Sequence, residues 1–212
     1  MKKRLLLLVS FALLYSVKGF SQNALDPGKF AIDAYYGFPN LITSYEQTAI
    51  NNGKAASNNS SNGGAPATNV SARGVGPLGL RIMYMLGEKV GLGIDFNYAN
   101  SILSWNQINN GVIYYYKIEI PRFRIMPSFE YHIRQTANFD FYYMLRIGYA
   151  GWNPNFTTND PNSTPSSVQF SVPFAFRTGI GARYYFTPYF GANMDFGFFG
   201  GGLIQAGLST KF

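Results

Sequence analysis

The chain has 212 residues, of which 17% are aromatic and only 13% charged, whereas an ordinary soluble domain is roughly one quarter charged. So little charge cannot cover a water-facing surface, and the length fits one all-β domain. Of 17 basic residues, Lys2, Lys3, Arg4 and Lys18 fall in an expected leader, leaving a mildly basic remainder against 10 acidic residues; no nucleic-acid partner is implied. There is no cysteine, which excludes disulfides, thiolate metal sites and lipoprotein attachment.

The opening MKKRLLLLVSFALLYSVKGFSQ has a basic start, an apolar core from Leu5 to Tyr15, and small residues Gly19 and Ser21 at signal-peptidase spacing. Residues 1–21 are expected to be a signal peptide, with the mature domain running from Gln22 over 22–212. Its apolar core is too short to span a bilayer, and no later run approaches a membrane helix.

The first strand is expected from Phe30, where Phe30, Ile32, Ala34, Tyr36 and Phe38 alternate with Ala31, Asp33, Tyr35 and Gly37. Alternation of this kind marks a strand with two unlike faces. A polar Asn/Ser/Gly/Ala segment, 41–72, follows as a long solvated loop. The run RGVGPLG, Arg73 to Gly79, formally matches a dinucleotide-binding glycine pattern, but it follows a loop, enters a strand and contains Pro77; its glycines are expected to ease strand curvature.

A second strand carries Leu78, Leu80, Ile82, Tyr84 and Leu86, and a tight turn leads to a third, KVGLGIDFNYAN, Lys89 to Asn100. Here Val90, Leu92, Ile94, Phe96 and Tyr98 face one way, and Gly91, Gly93, Asp95, Asn97 and Ala99 the other. The fourth strand, Val112 to Ile133, changes its bulky parity at Ile120 and Pro121, which suggests a bulge. A fifth follows from Phe139 to Tyr149, a sixth from Val168 to Phe186, a seventh from Phe190 to Phe198, and an eighth from Ile204 to Phe212.

Connections alternate long and short, except the last, through Gly200 to Gly202. Eight strands with long loops on one rim and tight turns on the other give the expected fold class: all-β, an eight-stranded antiparallel up-and-down transmembrane β-barrel. An eight-stranded interior is filled by side chains, so the small and polar parity should point inward and the bulky parity toward lipid. Aromatics should form two belts at headgroup level: Phe30, Tyr84, Tyr131, Phe139, Tyr184, Phe186, Phe190 and Phe212 at the tight-turn rim, and Tyr36, Phe38, Tyr98, Trp105, Tyr114, Tyr149 and Trp152 at the loop rim.

The inward parity gathers Asp33, Asp95, Glu130 and Asp195 with Arg81, Arg122, Arg124, Arg146, Arg177 and Arg183. Charges in so narrow a lumen must pair. A salt-bridged plug is expected rather than a selectivity ring, because eight strands leave no open channel. His132, the single histidine, is expected to make a structural hydrogen bond; no catalytic, cofactor or metal residues are assigned, and the chain is read as no enzyme. Tyr45, Trp105 and Trp152, in or beside loops, are the first candidates for partner recognition.

With these patterns the chain resembles the small bacterial outer-membrane β-barrel proteins, the porin-like and OmpA/OmpX-like superfamily, from about Lys29 to the end. The likeness rests on the architecture and on the ending Ile204, Ala206, Leu208, Thr210, Phe212. In that family such an ending looks like the signal read by the barrel-assembly machinery; this chain has Thr210 where an aromatic is often found. The resemblance implies location in the bacterial outer membrane, a non-enzymatic structural or surface-interaction role, and as partners outer-membrane lipid, the assembly machinery and a surface ligand or envelope protein. Transport of small hydrophobic or ionic solutes, or service in a secretion or assembly apparatus, are the alternatives.

Overall fold

The computed structural model describes residues 23–40, 43–45, 47–48, 67–109, 111–163 and 173–212. The expected signal peptide and most of the first long loop lie outside them, as do Val168, Phe170 and Val172 of the expected sixth strand. These residues form nine strands: β1 (Phe30–Phe38), β2 (Ala67–Met85), β3 (Val90–Asn109), β4 (Val112–Gln135), β5 (Phe139–Trp152), β6 (Asn155–Thr158), β7 (Phe174–Tyr185), β8 (Phe190–Phe198) and β9 (Ile204–Lys211).

Eight of them are staves. Each pairs antiparallel with its neighbour in chain order, and β1 pairs with β9 from Ala31↔Lys211 to Phe38↔Ile204, closing the barrel without a free edge. The ninth, β6, pairs among the described residues with β4 alone, through Tyr116↔Thr158 to Glu119↔Asn155. No described helix is long and apolar enough to cross a membrane.

Alternation sets the faces. Along β8 every second residue from Gly191 to Gly197 is buried and the residues between are exposed. In β3, Asp95 is 0% exposed while Phe96 and Tyr98 beside it are 38% and 48% exposed. Bulk faces out and polarity faces in, the reverse of a soluble sheet. Outward aromatics fall at two heights. Tyr84, Tyr131, Tyr184, Phe186, Phe190 and Phe212 are exposed near the tight turns, and Tyr36, Phe38, Tyr98, Phe123, Tyr149, Phe174 and Phe198 at the other end.

The staves are unequal, and three run well past the apolar band. At a rise of ~3.3 Å per residue and a 45° tilt, the 24 residues of β4 climb about 55 Å and the 9 of β1 about 20 Å, against a band of about 25 Å. The surplus of β2, β3 and β4, joined by β6, projects above the loop rim as a four-stranded antiparallel sheet. Two expectations change here. The strand β2 begins at Ala67, inside the segment read as loop, and β6 occupies part of the loop expected between the fifth and sixth strands.

The bulge expected at Ile120 and Pro121 is absent. The β3–β4 register is unbroken from Val90↔Tyr131 through Asn100↔Pro121 to Asn109↔Val112. The bulky parity changes because the surroundings change. Below Pro121 the outer face meets the apolar band, whereas above it the axis-facing side chains Tyr116 and Ile118 pack in the projecting sheet. Register shifts occur elsewhere, between Val75 and Leu78 and between His132 and Arg134. The first lies in the RGVGPLG run: Gly76 has φ +81°, and a Cβ there would stand 2.7 Å from the Leu78 nitrogen and the Tyr98 oxygen. Only glycine fits.

Candidate functional site

The lumen is filled from its floor upward. Residues just before β1 fold back across the tight-turn end, where Ala24 and Leu25 pack with Ala31, Met83, Met85 and Tyr185. Leu25 is 0% exposed, and its N–H donates to Gln135 Oε1 at 3.0 Å. This floor was not expected from the sequence, since a short N-terminal segment carries no periodicity.

Above the floor lies His132. Its Nδ1 is 2.6 Å from Asp140 Oδ1, and its ring lies 5.9 Å from that of Tyr142. The pair is buried.

The next layer is a continuous ion-pair cluster. Arg81 touches four carboxylates: Asp195 at 2.7 Å, Asp33 at 3.0 Å, Asp95 at 3.4 Å and Glu130 at 3.5 Å. Strand pairing builds this hub, because Arg81 is the register partner of Asp33 on one side and of Asp95 on the other. Arg183 reaches Asp33 at 2.7 Å, Glu130 at 2.8 Å and Asp140 at 3.1 Å, with its guanidinium 4.3 Å from the centre of the Tyr142 ring. Arg146 lies 3.3 Å from Asp95, and Arg177 lies 2.7 Å from Asp195. Uncharged groups complete the shell: Tyr35 OH donates to Asp95 at 2.7 Å, and Ser209 bonds to Asp33.

Arg122 and Arg124 lie at the loop end of the same inward parity. Arg124 donates to Asn97 Oδ1 at 3.2 Å, and Asn97 in turn donates to Asp95 at 3.0 Å. Arg122 donates to Asn40 Oδ1 at 2.8 Å and lies 5.2 Å from the Trp152 ring. Asn40 also bonds to the Asn100 carbonyl, and Thr43 to Ser101, so the chain leaving β1 is tied across the mouth.

The structure thus joins Asp33, Arg81, Asp95, Glu130, Arg146, Arg177, Arg183 and Asp195 by direct ion pairs, and Arg124 reaches Asp95 through Asn97. Asp140 was left out of the expected network. It shares the inward parity of Arg146 on β5, so alternation alone could have found it.

Among the described residues five buried carboxylates each have an arginine within 3.3 Å, and no group of three or more acids and histidines is placed to hold a metal ion. Arg81, Asp95, Glu130, Arg146, Arg177, Arg183 and Asp195 are 0–1% exposed, so the charged layer is closely packed.

The projecting sheet carries a second cluster. Trp105 and Tyr116 stack at 5.3 Å with planes 6° apart, and Phe156 of β6 lies 6.2 Å from Tyr116. Tyr116 OH donates to Asp160 Oδ2 at 2.7 Å, which pushes the phenol's pKa above its ordinary value. Trp105, Tyr114 and Trp152 therefore stand outside the loop-rim belt where they were expected. The first two belong to the projecting sheet, and Trp152 stands against Arg122.

The ending Ile204, Ala206, Leu208, Thr210 and Phe212 forms the outward parity of β9 and its end; Leu208 and Phe212 are the most open, 66% and 60% exposed.

No family model and no curated protein matches the chain. Among solved structures it is similar to the N-terminal β-barrel domain of Pseudomonas aeruginosa OprF, at 13% identity and TM-score 0.38, covering 90% of this chain and 100% of that one. It is similar to the outer membrane protein OprG from Pseudomonas aeruginosa, at 15% identity and TM-score 0.47, covering 88% and 97%. A third is Ail, the attachment invasion locus protein of Yersinia pestis, at 8% identity and TM-score 0.35, covering 88% and 99%. At these identities and TM-scores the likeness assigns no role.

Proposed function

We propose that this chain is an integral protein of the bacterial outer membrane with no enzymatic activity, and that its role is structural or surface-interacting. The single observation that carries this reading is the inversion of polarity: exposed Leu92, Phe96, Ile125, Phe129 and Leu208 outside, and buried arginines and carboxylates inside. A continuous apolar exterior of this kind is stable only in hydrocarbon. The tight turns would face the periplasm, and the projecting sheet would stand on the cell surface with Trp105 and Tyr116, available to a surface ligand or envelope protein. The outward face of β9, ending at Phe212, would meet the barrel-assembly machinery.

The packed lumen favours this reading over solute transport. The test is to refold the purified protein into lipid vesicles, follow its heat-modifiable gel mobility, and record from planar bilayers. A folded band that shifts on boiling and carries no steady current is expected. Steady ionic current through the wild-type barrel would replace the surface role with transport, and failure to insert would remove the membrane reading itself.

A further inference from the structure

A cavity of about 460 Å³ opens at the tight-turn rim, between the N-terminal segment, the β4–β5 turn, the β7–β8 turn and the C-terminus. Its size falls within the range of small-molecule sites, roughly 300–1,000 Å³. Lys29, Lys211 and Asp26 are in its walls, with the aromatic residues Tyr185, Tyr189 and Phe212.

Lys211 is the informative residue. Its ammonium has three donors. One goes to the Ala24 carbonyl at 2.6 Å, and the ammonium lies 4.3 Å from the centre of the Tyr185 ring. Neither contact carries a charge, though the carboxylates of Asp26, in the same wall, and of Asp140 act on the ammonium electrostatically. A second ammonium, Lys29, lines the same space, so the cavity sets two cations against one lining carboxylate. Tyr189, Phe190 and Phe212, all about 60% exposed, place it at the height where amphipathic rings meet headgroups.

From these features we propose that the cavity is a phospholipid headgroup site. The phosphodiester lies against Lys211 and Lys29, and Asp26 receives the ammonium of an ethanolamine head. Two cations and one carboxylate around one cavity match a phosphate with an amine a few atoms away better than they match a lone anion. This inference rests on the membrane reading above, and adds to it a defined lipid on the inner leaflet.

The test is native mass spectrometry of the barrel released from detergent micelles, with dihexanoyl phosphatidylethanolamine, dihexanoyl phosphatidylglycerol or inorganic phosphate added. Both lipids should be retained, phosphatidylethanolamine the more tightly. Lys211→Met and Lys29→Met should each weaken retention about tenfold, as loss of one charge-assisted hydrogen bond implies. Asp26→Asn should abolish the preference for phosphatidylethanolamine. Lys29 precedes the first stave, so its variant stays informative even if Lys211→Met impairs insertion. Retention unchanged in the lysine variants, or inorganic phosphate bound as well as lipid, would overturn the site. A heat-modifiable barrel that retains no headgroup overturns this inference alone; a chain that never enters micelles overturns the membrane reading with it.

Discussion

Arg81 Nη2 and Asp195 Oδ2 meet at 2.7 Å inside the lumen, from staves β2 and β8 with β1 and β9 between them. Contacts of this type fill the lumen above its apolar floor. Strands that are not neighbours in the ladder are joined across the interior through charges whose cost of burial is met by mutual pairing.

The hub position of Arg81 makes it the most sensitive point of the lumen. Arg81→Met should destabilise the folded barrel by about 3–5 kcal/mol, because it strands carboxylates that have shared one guanidinium. Arg81→Lys should recover only part of the loss, since a single ammonium cannot span the directions of Asp33, Asp95, Glu130 and Asp195. Urea titrations in lipid vesicles measure both. Equal stability of wild type and Arg81→Met would show that the cluster does not hold the barrel together.

Depth along one strand gives a second prediction. Ile94 faces outward in the apolar band, while Ile108 sits on the same parity of β3 near the tip of the projecting sheet, 49% exposed. Arginine at Ile94 should cost roughly 2–4 kcal/mol and at Ile108 about 0–1 kcal/mol, since the penalty falls away from the midplane. Folding titrations into vesicles compare the two. If the tip variant is the more damaging, the band does not lie in hydrocarbon where the exposed side chains place it.

Much of this architecture is legible in the sequence, for a physical reason. In segments such as Phe190 to Phe198 the two faces meet opposite surroundings, an exposed exterior and a tight lumen, so bulk and smallness alternate without interruption. The reading fails where that contrast ends. At Ile120 the medium outside the strand changes, and a change of solvent reads like a change of register. The strand β6 spans only Asn155–Thr158, too short for periodicity, and it exists because β4 offers it an edge. Inward placement of the charges is legible from parity, but which charges share a cluster is not. That depends on heights set by strand stagger, which leaves Arg124 with Asn97 and gives Arg183 to Asp33, Glu130 and Asp140.

The Tyr116–Asp160 hydrogen bond lies in the projecting sheet and responds to pH. Donation to a carboxylate favours the neutral phenol, so the Tyr116 pKa is raised. The contribution to loop order is then fully present below the ordinary tyrosine range and is lost as pH rises through the elevated value. Ultraviolet difference titration of wild type against Tyr116→Phe should show one phenol ionising later than the ordinary range. In Asp160→Asn that phenol should return toward it. A Tyr116 that titrates normally in the wild type would mean that the hydrogen bond is not held in solution.

The aromatic stack should stabilise the projecting sheet without stabilising the barrel. Phe156 is the side chain by which β6 reaches the Trp105–Tyr116 pair, and an aromatic contact adds about 0.5–1.5 kcal/mol beyond its buried area. Phe156→Ser should therefore detach β6, because four residues of edge pairing cannot hold alone. The expected readouts are faster proteolysis between Trp152 and Ser163 in folded protein, altered Trp105 fluorescence, and an unchanged urea midpoint for the barrel. The midpoint is spared because the Arg81 cluster and the closing β1–β9 pair lie below the sheet. A parallel fall in the barrel midpoint would instead make the projecting sheet part of one cooperative unit with the staves, and its availability to a surface partner would then depend on barrel stability.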